Sequence, residues 1–401
     1  MRFAAALLVI IFAAGGACGQ SRYEKDFQQF WTSFEQNYAY FDKSAIDWSK
    51  ARGIYQPEAA KITNDRDFVR LLERITHEFH NGHITLNTNL ESSNRIIPTG
   101  ADLWAEVAGN AAIIKDVRKQ SKTGQSGLRP GMKIILFNDL PPGAQLAQFL
   151  PKSVNKYSPQ MLAYAVNMLL AGARDRARKI TVESSSGNID FYPDQISNLQ
   201  SETALVNSKT LGGNVGYIKI NNSLFNFDLI KDFDAALDSL MATRSLILDL
   251  TETPSGGNTT VARAVMGRFI EREMPYQKHS LPREERQFRV KRSWVEYVSP
   301  RGRIYRKPLI VMVGRWTGSM GEGLAVGFDA TKRGKIVGTR MAGLIDAIYN
   351  FQLSETRIGY SIPTEKLFHP SGTPREDFIP PYLTRNTDQT WHTALILAKQ
   401  R

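Results

Sequence analysis

The spacing of apolar residues changes twice along the chain, and the changes divide it into three parts. From residue 20 to 98 the spacing is three or four. Phe27, Phe30, Trp31, Phe34 and Tyr38, followed by Tyr40-Phe41, predict a helix whose aromatic stripe packs into a core. Phe68, Leu71, Leu72, Ile75 and Phe79 predict a second helix from about Asp65 to His80. Thr63-Asn64-Asp65-Arg66 supplies its start signal, and Asn81-Gly82 its stop, since both residues accept positive φ. His83-Ile84-Thr85-Leu86-Asn87 then alternates polar and apolar, as a strand does.

Between residues 99 and 200 the elements are shorter. Ala105 to Val117 contains strands, Ile134 to Phe137 reads as another, and Ser158 to Ala173 as a helix. Lys179-Ile180-Thr181-Val182-Glu183 and Ile189 to Tyr192 read as a hairpin. Pro193 to Asn207 is mostly polar and reads as a linker. From residue 201 strands alternate with helices: Val215 to Ile220, then a helix from Leu229 to Met241, then Ser245 to Leu250, then a helix from about Thr260 to Phe269. Leu309 to Val313 is an apolar run that predicts a strand buried on both faces. This order predicts a sheet with helices on its faces and ligands at the C-terminal ends of its strands.

Two glycine-rich turns stand at such ends. After Leu250 comes Thr251-Glu252-Thr253-Pro254-Ser255-Gly256-Gly257-Asn258. After Val313 comes Gly314-Arg315-Trp316-Thr317-Gly318-Ser319-Met320, leading into a helix with Glu322 in its first turn. Ser319 thus sits where a buried strand hands over to a helix. Serine is a preferred N-cap, so a capping role and a catalytic role are both open. Thr317 replaces the first glycine of the Gly-x-Ser-x-Gly elbow, which separates the stretch from α/β-hydrolases.

The N-terminus changes the picture of where the chain works. Arg2, the apolar run Ala4 to Ala14 and Gly15-Gly16-Ala17 form a signal segment over residues 1–19, which predicts export, to a periplasm or to the outside. Cys18 is the only cysteine, so the mature body has neither a disulfide nor a cysteine nucleophile. Removal with the signal and lipid attachment at a membrane are the two readings of Cys18 itself. The net charge of +12 is spread along the chain without interleaved aromatics, which speaks against nucleic acid as a partner. His77, His80 and His83 lie close in sequence, but with no cysteine and no carboxylate partner other than Glu78 they do not read as a metal site. His83, at the mouth of a strand, is a candidate general base.

The middle block, with Ser126-Gly127-Leu128 followed by Gly131-Met132-Lys133-Ile134, resembles a PDZ domain, although Met132 and Asp139 replace signature residues. PDZ domains capture peptide ends by strand addition. The whole order resembles the S41 family of serine peptidases: helical part, Gly82-His83, PDZ-like block, Gly216-Tyr217-Ile218-Lys219-Ile220, Leu248-Asp249-Leu250 with Gly256-Gly257-Asn258, and Thr317-Gly318-Ser319-Met320-Gly321-Glu322. This family includes carboxy-terminal processing proteases and the tricorn core protease.

The resemblance implies an α/β (α+β) multidomain fold. Its parts are an N-terminal helical cap (20–98), a PDZ-like β domain (99–200) and a βαβα catalytic core (201–401). It implies Ser319 as nucleophile and an oxyanion hole at Gly256, Gly257 and Met320. Processing proteases use a lysine after the serine, but the matching stretch Ala342-Gly343-Leu344-Ile345-Asp346 has none. The tricorn-like branch uses a histidine, matching His83, and a late glutamate, matching Glu376, with Asp377 as the fallback. Its serine before the histidine is replaced by Gly82. The resemblance implies a peptide or protein substrate and no cofactor or metal. The rival reading is a non-catalytic binding protein on the same fold, as in retinoid-binding repeats of the eye. A third, an esterase of another fold, would draw on His369 or His392. Oligomeric state is left open.

Overall fold

The computed structural model describes residues 20–197, 204–344 and 346–400. Residues 1–19, read from the sequence as a signal segment, and with them Cys18, lie outside the described residues. Three helices, Arg22–Asn37, Trp48–Ala59 and Asp65–Thr76, form the N-terminal part. Ser21 and Glu24 close a reciprocal cap on the first. The aromatic stripe is core as expected: Phe27, Phe30, Trp31 and Phe34 are all buried, and Trp31 stacks on Trp48.

The helix that begins at Asp65 stops earlier than its apolar spacing suggests. It ends at Thr76 and tightens into a turn over His77–Phe79. The positive φ falls on His80 (39°), not on Asn81 or Gly82. Gly82 is required for a different reason: a Cβ there would stand 2.2 Å from the Ile97 carbonyl oxygen. Residues 83–87 do not form the expected strand. They make one bridge, Leu86 to Tyr360, because their polar groups are committed individually to turns and to a neighbouring strand edge.

The middle part is a five-stranded sheet in the order β1 (Leu103–Ala108), β2 (Ala111–Val117), β3 (Lys133–Phe137), β4 (Ile180–Val182), β5 (Ile189–Phe191). The 159–171 helix packs over it. At the β1 edge the Asn167 side-chain amide takes the Ala105 N–H at 2.8 Å and donates to the Ala105 carbonyl at 2.9 Å. The helix therefore occupies, at Ala105, an edge to which a strand could otherwise add.

The third part holds two sheets. The larger joins β6 (Val206–Leu211), β7 (Val215–Ile220), β8 (Ser245–Asp249), β11 (Leu309–Val313), β12 (Gly334–Gly338) and β15 (Tyr382–Leu383) in the order β15-β12-β11-β8-β7-β6. All its pairings are parallel except β6 on β7. Successive residues of β8 and β11 enter different cores. Leu246, Leu248, Leu309, Val311 and Val313 meet the helices at 229–239, 259–267 and 320–330. Ile247, Ile310 and Met312 meet the C-terminal helix, Thr387–Lys399. Two covered faces explain the unbroken apolar runs. The smaller, antiparallel sheet has the order β10 (Ser293–Val298), β9 (Met274–Ser280), β14 (Gly359–Phe368), β13 (Asp346–Gln352).

Candidate active site

Ser319 sits between β11 and the helix Met320–Ala330, with φ 51° and ψ −112°. A non-glycine residue there carries backbone strain of order 1–3 kcal/mol, which the surroundings must hold in place. They do so from three sides. Thr317 Oγ1 donates to the Leu250 carbonyl at 2.8 Å and accepts the Gly314 N–H. The Gly318 N–H bonds the Thr253 carbonyl at 3.2 Å, and the Ala342 N–H bonds the Thr317 carbonyl. The middle part braces the same turns, with Trp316 donating to Asp116 and Arg118 pairing with Glu252. The threonine that breaks the elbow motif is thus a fastener of the turn.

Gly256 lies against the serine. With φ 64°, it presents its Cα where a Cβ would meet the Ser319 Cβ at 2.3 Å and Oγ at 2.8 Å, and the Met320 nitrogen at 2.9 Å. The Gly256 N–H, however, is bonded to the Thr253 carbonyl at 3.1 Å. Gly256 therefore gives close approach and not a free donor, unlike the sequence expectation. Gly257 follows it against Leu224, and Met320 opens the helix, where N–H groups lack helical partners.

His83 is 7% exposed. Its Nδ1 is hydrogen-bonded to Asp346, whose other carboxylate oxygen accepts from Asn81 Nδ2 at 2.9 Å. Asn81 Oδ1 accepts the His83 N–H at 2.9 Å. The sheets bring these residues together. Thr85 and Asn87 bond Ser361 and Gly359 of β14, and β13, which begins with Asp346, is the hairpin partner of β14. The other two histidines of the sequence cluster point elsewhere: His77 to the Tyr164 hydroxyl, His80 to the Glu78 carbonyl.

Glu376 does not reach His83. Its carboxylate pairs with Lys43, and its side chain is 21% exposed. The position is a short turn, Arg375–Asp377, in which the neighbouring residue faces inward. Arg375 is 4% exposed, lies 3.7 Å from Glu322 and within electrostatic reach of Asp346. Its Nε and Nη2 have no hydrogen-bond partner among the described residues. Glu322 joins both halves of the site. One oxygen accepts the Ser319 N–H at 3.1 Å and the other the Gly343 N–H at 2.8 Å. Burial raises the Glu322 carboxyl above its ordinary range, with Arg375 the main opposing influence. Leu344 completes the junction. Cβ atoms built at Gly82 and at Gly318 would each stand 3.3 Å from one of its two methyls.

Asp346, Asn81 and Arg375 were not identified by sequence reasoning. One signal existed for Asp346: it is the acidic residue of the stretch where processing proteases carry their lysine. His369 bonds Ser371 and lies 3.6 Å from Asp329, while His392 is on the C-terminal helix.

The peptidase family S41 model matches residues 214–381, which include both glycine turns, Ser319 and Asp346. Over that stretch the chain is similar to peptidase family S41. A second family model, the tricorn protease C1 domain, matches residues 20–76, so the helical N-terminal part is similar to one in that protease. The chain is a serine-type peptidase. Its fold is similar to that of mature CPAF in complex with lactacystin, with TM-score 0.63, 14% identity, and coverage of 94% of this chain and 97% of that one. The photosystem II D1 C-terminal processing protease gives 0.56 and 16%, covering 91% and 93%. A putative peptidase from Parabacteroides merdae gives 0.55 and 13%, covering 93% of each chain. Comparison with curated proteins finds no match.

Proposed function

We propose that this peptidase cleaves peptide bonds through an acyl-enzyme on Ser319, with His83 as general base. The observation that carries the reading is the buried hydrogen bond between His83 Nδ1 and Asp346. A carboxylate on Nδ1 fixes the tautomer that leaves Nε2 free to take a proton, and stabilises the imidazolium that results. Asp346 takes the part that the family resemblance gave to Glu376.

In the first step Ser319 Oγ attacks the substrate carbonyl and its proton passes to His83 Nε2. The N–H groups of Gly257 and Met320 receive the oxyanion. His83 then gives its proton to the leaving amine. Water, deprotonated by the same nitrogen, releases the acyl group. Glu322 holds the Ser319 and Gly343 N–H groups, so the nucleophile turn and the loop leading to Asp346 share one anchor. Arg375 offsets the charge of the two buried carboxylates.

The substrate is a peptide or protein, and the enzyme acts after export directed by residues 1–19. The test is hydrolysis of a denatured protein by the purified mature chain and by Ser319→Ala. Loss of cleavage in the variant supports the reading. Cleavage at the wild-type rate overturns it.

A further inference from the structure

The cleft beside the His83 cluster has a lining that the chemistry above does not use. It holds about 400 Å³ where the three parts of the chain meet. One wall is Asn81, Gly82, Leu344 and Asp346, the surroundings of His83. The other walls are rings: Tyr38 and Phe79 from the helical part, Trp104 and Tyr164 from the middle part. Leu344 also abuts Gly318, so a chain bound at Ser319 lies next to this space.

The hydroxyls of the two tyrosines are already engaged. The Tyr164 hydroxyl bonds His77 Nδ1 at 3.0 Å, and Tyr38 is bonded to Asn81. Trp104 is fixed by Arg315, 4.9 Å from its centroid, and by Trp316 edge-on. Lys43 and Glu376, the charged pair at the cleft, neutralise each other. The rest of the lining is mostly ring and methyl surface, with the polar groups of Tyr40, Ser44, His80 and Gln160 beside it. A charged side chain placed there would lose its water against charges already paired with each other, Lys43 with Glu376 and Asp346 with His83 and Asn81. An aromatic ring would gain offset or edge-on ring contacts in addition to burial.

We propose that this cleft is a side-chain subsite that selects substrates carrying a large, uncharged aromatic residue close to the scissile bond. The proposal rests on the peptidase reading and names its substrate class. Ala163, half-buried in the 159–171 helix, lines the cleft and is small enough to be enlarged. Filling the space from Ala163 should exclude rings while leaving Ser319 and His83 untouched.

The experiment is digestion of a peptide library by the mature enzyme, with cleavage sites mapped by mass spectrometry, for the wild type, Ala163→Trp and Trp104→Ala. A fluorophosphonate labels each protein in parallel. The expected result is Phe, Tyr or Trp enriched at one fixed position within a few residues of the cut, at roughly 10- to 100-fold over Ala in kcat/KM. Lys and Glu are disfavoured there. In Ala163→Trp the enrichment collapses while labelling of Ser319 stays at the wild-type rate. A labelled, active wild-type enzyme with a flat profile, or with a preference that Ala163→Trp and Trp104→Ala leave intact, overturns the subsite alone. A wild type that neither labels nor cleaves overturns the peptidase reading and the subsite with it.

Discussion

His83 and Asp346 are hydrogen-bonded although 263 positions of chain separate them. The pair exists because residues 85–87 dock on β14 while β13 pairs with the same strand. Asp346→Asn leaves the packing of this hairpin unchanged but favours the wrong histidine tautomer. The account predicts a fall in kcat of about 10⁴-fold with KM nearly unchanged, the size seen for such a change in a Ser-His-Asp triad. Glu376→Gln removes only a partly exposed pair with Lys43, and kcat/KM should change by less than about fivefold. Steady-state kinetics on both variants check this. The opposite ranking would return the supporting role to Glu376.

Gly256 has no room for a side chain. A methyl would strain a residue at φ 64° and press on the Ser319 side chain and the Met320 nitrogen. Gly256→Ala should lose about 10²-fold or more in kcat by displacing the nucleophile. The fold should persist, because the clash lies in a turn and not in a sheet core. Kinetics together with a thermal melt separate the two effects.

Arg375 is the buried cation between Glu322 and Asp346. Arg375→Met strands two buried carboxylates and should cost about 3–5 kcal/mol of stability. Adding Glu322→Gln to that variant should recover part of the loss, since one uncompensated charge is removed. Urea denaturation of the two single variants and the double gives the coupling. Additive losses would show that Arg375 and Glu322 do not act as a pair.

His279 is on β9, with Glu365 of β14 at 2.6 Å and Glu296 of β10 at 3.4 Å. Burial opposes its charge, but the two carboxylates outweigh burial and raise its pKa above the ordinary value. A raised folded-state pKa gives stability that is fully present below the unfolded value, about 6.5. That stability is lost as pH climbs through the raised value. Unfolding free energy should therefore decline from pH 6 towards alkaline conditions, and His279→Gln should flatten the slope. Parallel pH profiles for the two proteins would contradict this.

The fold was readable where one physical rule acts alone. Leu309 to Val313 reads as doubly buried because helices do cover both faces, and Phe27 to Phe34 reads as core because nothing polar interrupts the stripe. Reading failed where tertiary contacts chose among local options. Asn81-Gly82 resembles a helix stop, yet Asn81 is used to hold His83 and Asp346, and Gly82 is used to let Ile97 approach. Arg375 and Glu376 are adjacent in sequence, and only the direction of a three-residue turn decides which one enters the site. Ser319 was legible as a strand-to-helix handover. Its partner Asp346 carries no motif, and its role comes entirely from the β13–β14 hairpin.

The central claim is that Ser319 is activated by His83, and that Asp346 makes His83 able to do so. The most direct measurement is the rate of fluorophosphonate labelling, with the adduct mapped by mass spectrometry, in the wild type, His83→Ala, Asp346→Asn and Glu376→Gln. The account predicts an adduct on Ser319 that forms at similar rates in the wild type and Glu376→Gln, slows strongly in Asp346→Asn and is absent in His83→Ala. No adduct on Ser319 in the wild type, or equal labelling in all four proteins, would contradict it.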